Sequence, residues 1–97
     1  MAYLVLEYVL VGDYLDRRGE FRDEHLALAG AARSRGELLL AGALDPADRA
    51  LFVWVTDDAA VVERFAEQDP YVRHGLVSSY SVRPWRVVID ATPAATS

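Results

Sequence analysis

Two short blocks of this chain carry side chains able to move a proton. Arg22-Asp23-Glu24-His25-Leu26 brings an imidazole, and Gln68-Asp69-Pro70-Tyr71-Val72-Arg73-His74-Gly75 brings a carboxylate followed by a second imidazole. An imidazole titrates near neutrality, which suits it to general acid–base work. A carboxylate bonded to one of its nitrogens fixes the tautomer and raises its basicity. His25 and Asp69 are therefore the candidate catalytic pair, provided that the fold makes them neighbours. A plainer reading stands beside each. A lone histidine on an apolar stripe is more often a core residue, and Asp-Pro is ordinary turn chemistry. Asp69 shifts the balance because it falls at the end of a predicted helix, where the helix dipole disfavours a carboxylate. Something must compensate it, either an imidazolium or local amide donors.

Further candidates are weaker. Arg22 lies one turn before His25, and its planar fork suits an anionic group. Arg22, Tyr71 and Glu7 are the candidate substrate-binding residues. Glu7, a lone acid in an apolar stretch, has Arg83 or Arg86 as possible ion-pair partners. His74 reads as an exposed loop residue beside Arg73. Trp54, Trp85, Tyr71 and Tyr80 also fit core or interface positions. Nothing in the spacing of His25, Glu7, Asp69 and His74 favours a metal site. There is no glycine-rich phosphate loop, nucleophile elbow or cofactor fingerprint, so no cofactor is expected.

The elements that must position these residues follow from the pattern. Tyr3 to Val11 is apolar apart from Glu7 and does not alternate, which predicts a strand covered on both faces. Gly12-Asp13 breaks it. A helix starting or interrupted near Gly19 runs to about Arg35. It carries Phe21, Leu28, Ala29 and Ala32 along one face, with His25 on the same stripe. Gly36 is placed to end it. Leu38 to Leu44 and Leu51 to Thr56 read as strands around the turn Asp45-Pro46-Ala47-Asp48-Arg49. Thr56-Asp57-Asp58 signals a helix start, and Ala59 to Glu67 follows. Pro70 ends that helix, because the residue before a proline is pushed out of helical geometry. A short turn or helix spans Tyr71 to Gly75. Ser79 to about Ile89 is the last strand, and Pro84 places it at an edge or a bulge. The order β-α-β-β-α-β is the ferredoxin-like α+β plan, with two helices on one face of a four-stranded antiparallel sheet.

Composition bounds the function. The chain has 97 residues, enough for one domain, expected over residues 1–90 with 91–97 as a disordered tail. Its net charge of −5 and its ten scattered arginines without a lysine argue against nucleic acid or an anionic membrane as partner. With no cysteine, disulfides and thiolate chemistry are excluded. The N-terminus lacks a signal-peptide pattern and no apolar run is long enough to cross a membrane, so a soluble cytoplasmic protein is expected. A hydrophobic fraction of 53% is high for so small a globule. The sheet face that the helices leave bare needs a cover, and a second copy of the same sheet is the simplest one. A homodimer through sheet faces is expected.

The blocks around His25 and Asp69-Pro70-Tyr71, with Gly36-Glu37-Leu38-Leu39-Leu40-Ala41-Gly42-Ala43-Leu44, Gly75 and Val82-Arg83-Pro84-Trp85, resemble the YCII family of small bacterial proteins. The resemblance spans residues 1 to about 89. It implies a ferredoxin-like fold assembled as a dimeric α/β barrel. It also implies a pocket holding a catalytic histidine and aspartate, which correspond to His25 and Asp69. One branch of the family contains dehydrochlorinases that act on chlorinated hydroxyhydroquinones without metal or organic cofactor. The Asp45 to Arg49 loop is short for the family and is placed to border the pocket. Two functions stand open. One is a cofactor-independent acid–base enzyme acting on a small cyclic or aromatic molecule, by elimination, dehydrochlorination or isomerisation. The other is a non-catalytic small-molecule-binding or accessory dimer module.

Overall fold

The computed structural model describes residues 2–91. The sequence-predicted tail therefore falls, from residue 92 onward, outside the described residues. The elements run β1 (Tyr3–Leu10), α1 (Tyr14–Ser34), β2 (Leu38–Ala43), β3 (Arg49–Val55), α2 (Ala59–Gln68), α3 (Pro70–Arg73) and β4 (Val77–Trp85). The strands form one antiparallel sheet in the order β2-β3-β1-β4. This is the ferredoxin-like α+β arrangement expected from the element order, with α3 as an extra single turn.

Strand β1 sits at the centre and alternates strictly in burial. Leu4, Leu6, Tyr8 and Leu10 are buried under the helices, while Tyr3, Val5, Glu7 and Val9 are half-buried on the opposite face. Within the single chain one face of β1 is fully buried and the other half-buried. Apolar residues occupy both phases of the strand, but only one phase is packed. β3 repeats the pattern, with Ala50, Phe52 and Trp54 inward. Against this floor pack Val62, Phe65 and Ala66 of α2 and the partly buried Phe21, Leu28 and Ala29 of α1. β4 is an edge strand, so the missing N–H of Pro84 costs no ladder bond on the outer side.

The largest differences from the element bounds read in the sequence are in α1 and β4. α1 begins at Tyr14 and passes straight through Gly19. The helix continues because a single exposed glycine costs only about 1 kcal/mol in an otherwise favourable run. β4 covers Val77–Trp85, so it starts earlier and stops before the apolar Val87, Val88 and Ile89. At the end of α1, Gly36 adopts φ 76°, and the Gly36 and Glu37 N–H groups donate to the carbonyls of Arg33 and Ala32 at 2.9 and 3.1 Å. Glycine reaches that left-handed conformation without a Cβ clash, which turns the chain into β2.

Candidate functional site

Asp69 occupies a junction that the Asp-Pro pair creates. Pro70 drives the preceding residue into extended geometry, and Asp69 has φ −66° and ψ 122°. That stops α2 and frees the side chain to cap α3, whose Tyr71 N–H donates to Asp69 Oδ1 at 3.0 Å. Both compensating partners weighed for this carboxylate are present together. His25 Nδ1 lies 2.9 Å from Oδ1 and 3.0 Å from Oδ2. A third donor is the Tyr8 hydroxyl of β1, which reaches Oδ2 at 2.7 Å.

Asp69 has no solvent exposure, and the His25 side chain is 12% exposed. A carboxylate in such a place is costly unless its lone pairs are satisfied, and three converging donors satisfy them. The electrostatics are visible on the tyrosines. Burial pushes the Tyr8 phenol far above its ordinary value, and the adjoining Asp69 charge adds to the effect. Burial also raises Tyr71, helped by Tyr14 and opposed by Arg22 and Arg18. Both phenols therefore stay protonated as donors at neutral pH.

The imidazole is held in orientation as well as in tautomer. Its ring stacks on Tyr71 at 4.0 Å and 16°, and Phe52 meets it edge-on at 6.0 Å. With Nδ1–H donating to Asp69, the neutral ring carries its lone pair on Nε2. His25 and Tyr71 line a cavity of about 170 Å³ between α1 and the sheet. Its far wall is the small-residue segment Ala41, Gly42 and Ala43 of β2, and Arg18 and Arg22 stand along α1 beside it. Such a site can accept a proton at one fixed nitrogen and return it.

The sequence candidates separate into two groups. His25, Asp69, Arg22 and Tyr71 come together at this cavity. Glu7 does not: it lies on the opposite face of the sheet, in a depression shared with Val5, Leu51, Val53, Arg83 and Trp85. The reading of Glu7 as a residue of the same site is corrected by strand parity, because neighbours in a strand point to opposite faces. Among the described residues Glu7 forms no ion pair with Arg83 or Arg86. His74 is exposed and stacks on Phe21 at 4.3 Å and 10°. Among the described residues no three His, Asp or Glu side chains gather as a metal would require. The Asp45 to Arg49 loop does not border the cavity; Pro46, Ala47 and Asp48 line a separate depression with Leu10 and Leu15.

Three polar side chains of the cavity escaped the sequence reading, namely Tyr8, Tyr14 and Arg18. A signal existed for two of them, since Tyr14, Arg18 and Arg22 recur at intervals of four along α1. Tyr8 had none, because β1 is apolar in both phases.

Comparison with known proteins agrees with this architecture. The model of the YCII-related domain matches residues 1–86. No curated protein matches the chain. Among solved structures, 5-chloro-2-hydroxyhydroquinone dehydrochlorinase from Burkholderia phenoliruptrix, in complex with 2,5-dihydroxybenzoquinone, superposes with a TM-score of 0.69 at 19% identity, over 89% of this chain and 94% of that one. A NIPSNAP family protein from Agrobacterium tumefaciens gives a TM-score of 0.59 at 17% identity, over 96% and 97% of the two chains. A NIPSNAP domain protein from Burkholderia xenovorans gives 0.54 at 20% identity, over 100% and 98%. At these identities the likeness is one of fold, that of the dimeric α/β barrel. No described helix is long and apolar enough to cross a membrane. The family model covers almost the whole chain, and on that ground this protein belongs to the YCII-related family.

Proposed function

We propose that this protein is a cofactor-independent acid–base enzyme acting on a small cyclic or aromatic molecule, with His25 as the proton carrier and Asp69 as its orienting partner. The observation that carries the reading is the Asp69 carboxylate, wholly buried yet bonded to His25 Nδ1 at the wall of a cavity. A histidine needed only for packing does not require a buried charge behind it. In an elimination, Nε2 takes a proton from the substrate. The electron pair left behind forms the new double bond, and the leaving group departs as an anion with its own pair. The imidazolium then gives the proton to water. In an isomerisation the same proton returns to a different atom of the substrate. Asp69 balances the imidazolium while it exists, and Tyr8 and the Tyr71 amide hold the carboxylate still.

The size of the cavity supports a one-ring substrate. Its volume of about 170 Å³ is close to that of an engineered cavity, about 150 Å³, that takes up benzene. The dehydrochlorinase sharing this fold is in complex with a one-ring quinone, which fits the same range.

The test is turnover of chlorinated hydroquinones and related one-ring compounds by wild type and His25→Gln. A positioned general base is worth about 10²–10⁴-fold, so the variant is expected to lose that much kcat with its fold intact by circular dichroism. The pH–rate profile of the wild type should contain one limb that vanishes in the variant. Full activity in His25→Gln on a confirmed substrate would refute the reading. Ligand binding without turnover of any compound would favour the non-catalytic binding module.

We further propose a homodimer joined through the bare sheet faces. Val5, Leu51 and Val53 are half-buried there, while Leu40 and Trp85 are 63% and 50% exposed. A sheet face that exposes large apolar side chains in this way supports an interaction surface. The shared fold of the dimeric α/β barrel supports a second copy as its occupant.

A further inference from the structure

We infer that the ligand of the His25 cavity is a single-ring organic anion, its charged oxygen held by Arg18, Arg22 and the hydroxyl of Tyr71. The inference rests on the acid–base reading of the same cavity and adds the charge class of the substrate and the groups that recognise it.

The first argument is charge. The chain as a whole is acidic, at −5. Yet no carboxylate lines this cavity, whose fixed charges are the guanidiniums of Arg18 and Arg22. The two lie four residues apart, on successive turns of α1, and His25 follows Arg22 by three, so all share one helix face. Among the described residues neither guanidinium is ion-paired, although fifteen acids are available in the chain. Arg18 instead rests over the ring of Tyr14, at 5.8 Å from its centroid. A positive pole held apart from the surrounding acids attracts and orients an anion.

The second argument is an orphaned donor. Tyr71 is 2% exposed, and its hydroxyl has no hydrogen-bond partner among the described residues. Leaving a buried hydroxyl unpaired costs free energy, so such a group calls for an explanation. The phenol lies within electrostatic reach of Arg22 and Arg18, since both pull its acidity against the effect of burial. Tyr71, Arg18 and Arg22 all line the one cavity. The Tyr71 ring also stacks on His25, which sets the anion-binding end at a fixed distance from the proton carrier.

The third argument is shape. From the sheet, Ala41, Gly42, Ala43, Ala50 and Phe52 line the cavity without offering a hydrogen-bonding side chain. A bare oxyanion such as phosphate leaves those walls uncovered, and a neutral ring leaves the arginines and the phenol unpaired. A ring bearing one ionised oxygen substituent, as a carboxylate, phenolate or enolate, satisfies both ends.

The experiment is calorimetric titration of the full chain with four probes: benzoate, benzamide, 2-naphthoate and inorganic phosphate. Benzoate is expected to bind most tightly and to weaken with added salt. Loss of one charge-assisted contact should weaken it by about tenfold in Arg18→Gln and in Arg22→Gln, with benzamide unchanged. Tyr71→Phe should weaken benzoate without lowering thermal stability, which separates ligand recognition from a structural role. Benzamide or phosphate binding as tightly as benzoate overturns the inference. So does benzoate binding that ignores both arginine variants, or no benzoate binding at millimolar concentration. The two readings fail separately. If the arginine variants bind benzoate normally while His25→Gln still destroys turnover, the anion inference falls and the acid–base reading stands. If benzoate needs both arginines while His25→Gln turns substrate over normally, the acid–base reading falls alone.

Discussion

An imidazole, a phenol and a backbone amide converge on the Asp69 carboxylate at zero exposure. Asp69→Asn keeps the shape but turns one acceptor into a donor that faces those donors. The loss is that of an unsatisfied buried polar group, about 1–3 kcal/mol by urea denaturation. Activity should fall by about 10²–10⁴-fold, since the imidazole tautomer is no longer enforced. Tyr8 gives a prediction in pH. Its phenol is held protonated in the fold well beyond the ordinary value of 10.0. Its contribution to stability is complete below that value. Above it the unfolded chain releases a proton that the folded chain retains, so stability falls as pH rises, by about 1.4 kcal/mol per pH unit for this one group. Between pH 10 and 12 the stability of Tyr8→Phe should fall less steeply than that of wild type, the slopes differing by about that amount. Equal slopes would mean that Tyr8 ionises alike in both states.

At the scale of the element, α1 is the informative case. It runs 21 residues, yet only Tyr14 and Ala32 are buried in it, and it contains glycines at 19 and 30. Neither glycine has a positive φ, and a Cβ at either meets nothing within 4 Å. Gly19→Ala and Gly30→Ala should therefore each stabilise the protein by about 0.5–1 kcal/mol, read from the denaturation midpoint, with kcat unchanged. A destabilised variant would show that helix bending at the glycine matters to the fold. The start of α2 rests instead on a cap: Asp58 Oδ1 accepts from the Ala60 N–H at 3.0 Å. Asp58→Ala should cost about 1 kcal/mol.

For the whole molecule, the decisive feature is the sheet face opposite the helices. Val53 lies at its centre, paired with Val5 on one side and Leu40 on the other. A charge there would be buried against its own copy in a face-to-face dimer. Val53→Asp should convert a dimer into a monomer in sedimentation velocity, while the helix-covered face and the His25 cavity remain intact. A wild-type monomer at micromolar concentration, or a variant that stays dimeric, would sink the proposed assembly. Glu7 and Arg83 share this face with the apolar residues and lie away from the cavity.

The element order was legible because local patterns encode it. The apolar stripe of α1 ends at Gly36, the turn at Asp45-Pro46 separates two apolar runs, and Pro70 forbids α2 from continuing. His25 was placed on the buried stripe by helical period, and Asp69 was marked by its conflict with the helix dipole. Both signals lie within a few residues of the position concerned. Which face of β1 turns inward was not legible, because leucine, valine and tyrosine fill both phases of the strand and register alone assigns them. That single parity sends Tyr8 to Asp69 and Glu7 to the opposite side. The chain by itself thus determined the ferredoxin-like plan and an acid and an imidazole able to meet. Tertiary packing alone decided that a phenol of β1 joins them, since contacts between residues 8, 25 and 69 are made by sheet pairing and helix packing, which leave no local trace in sequence.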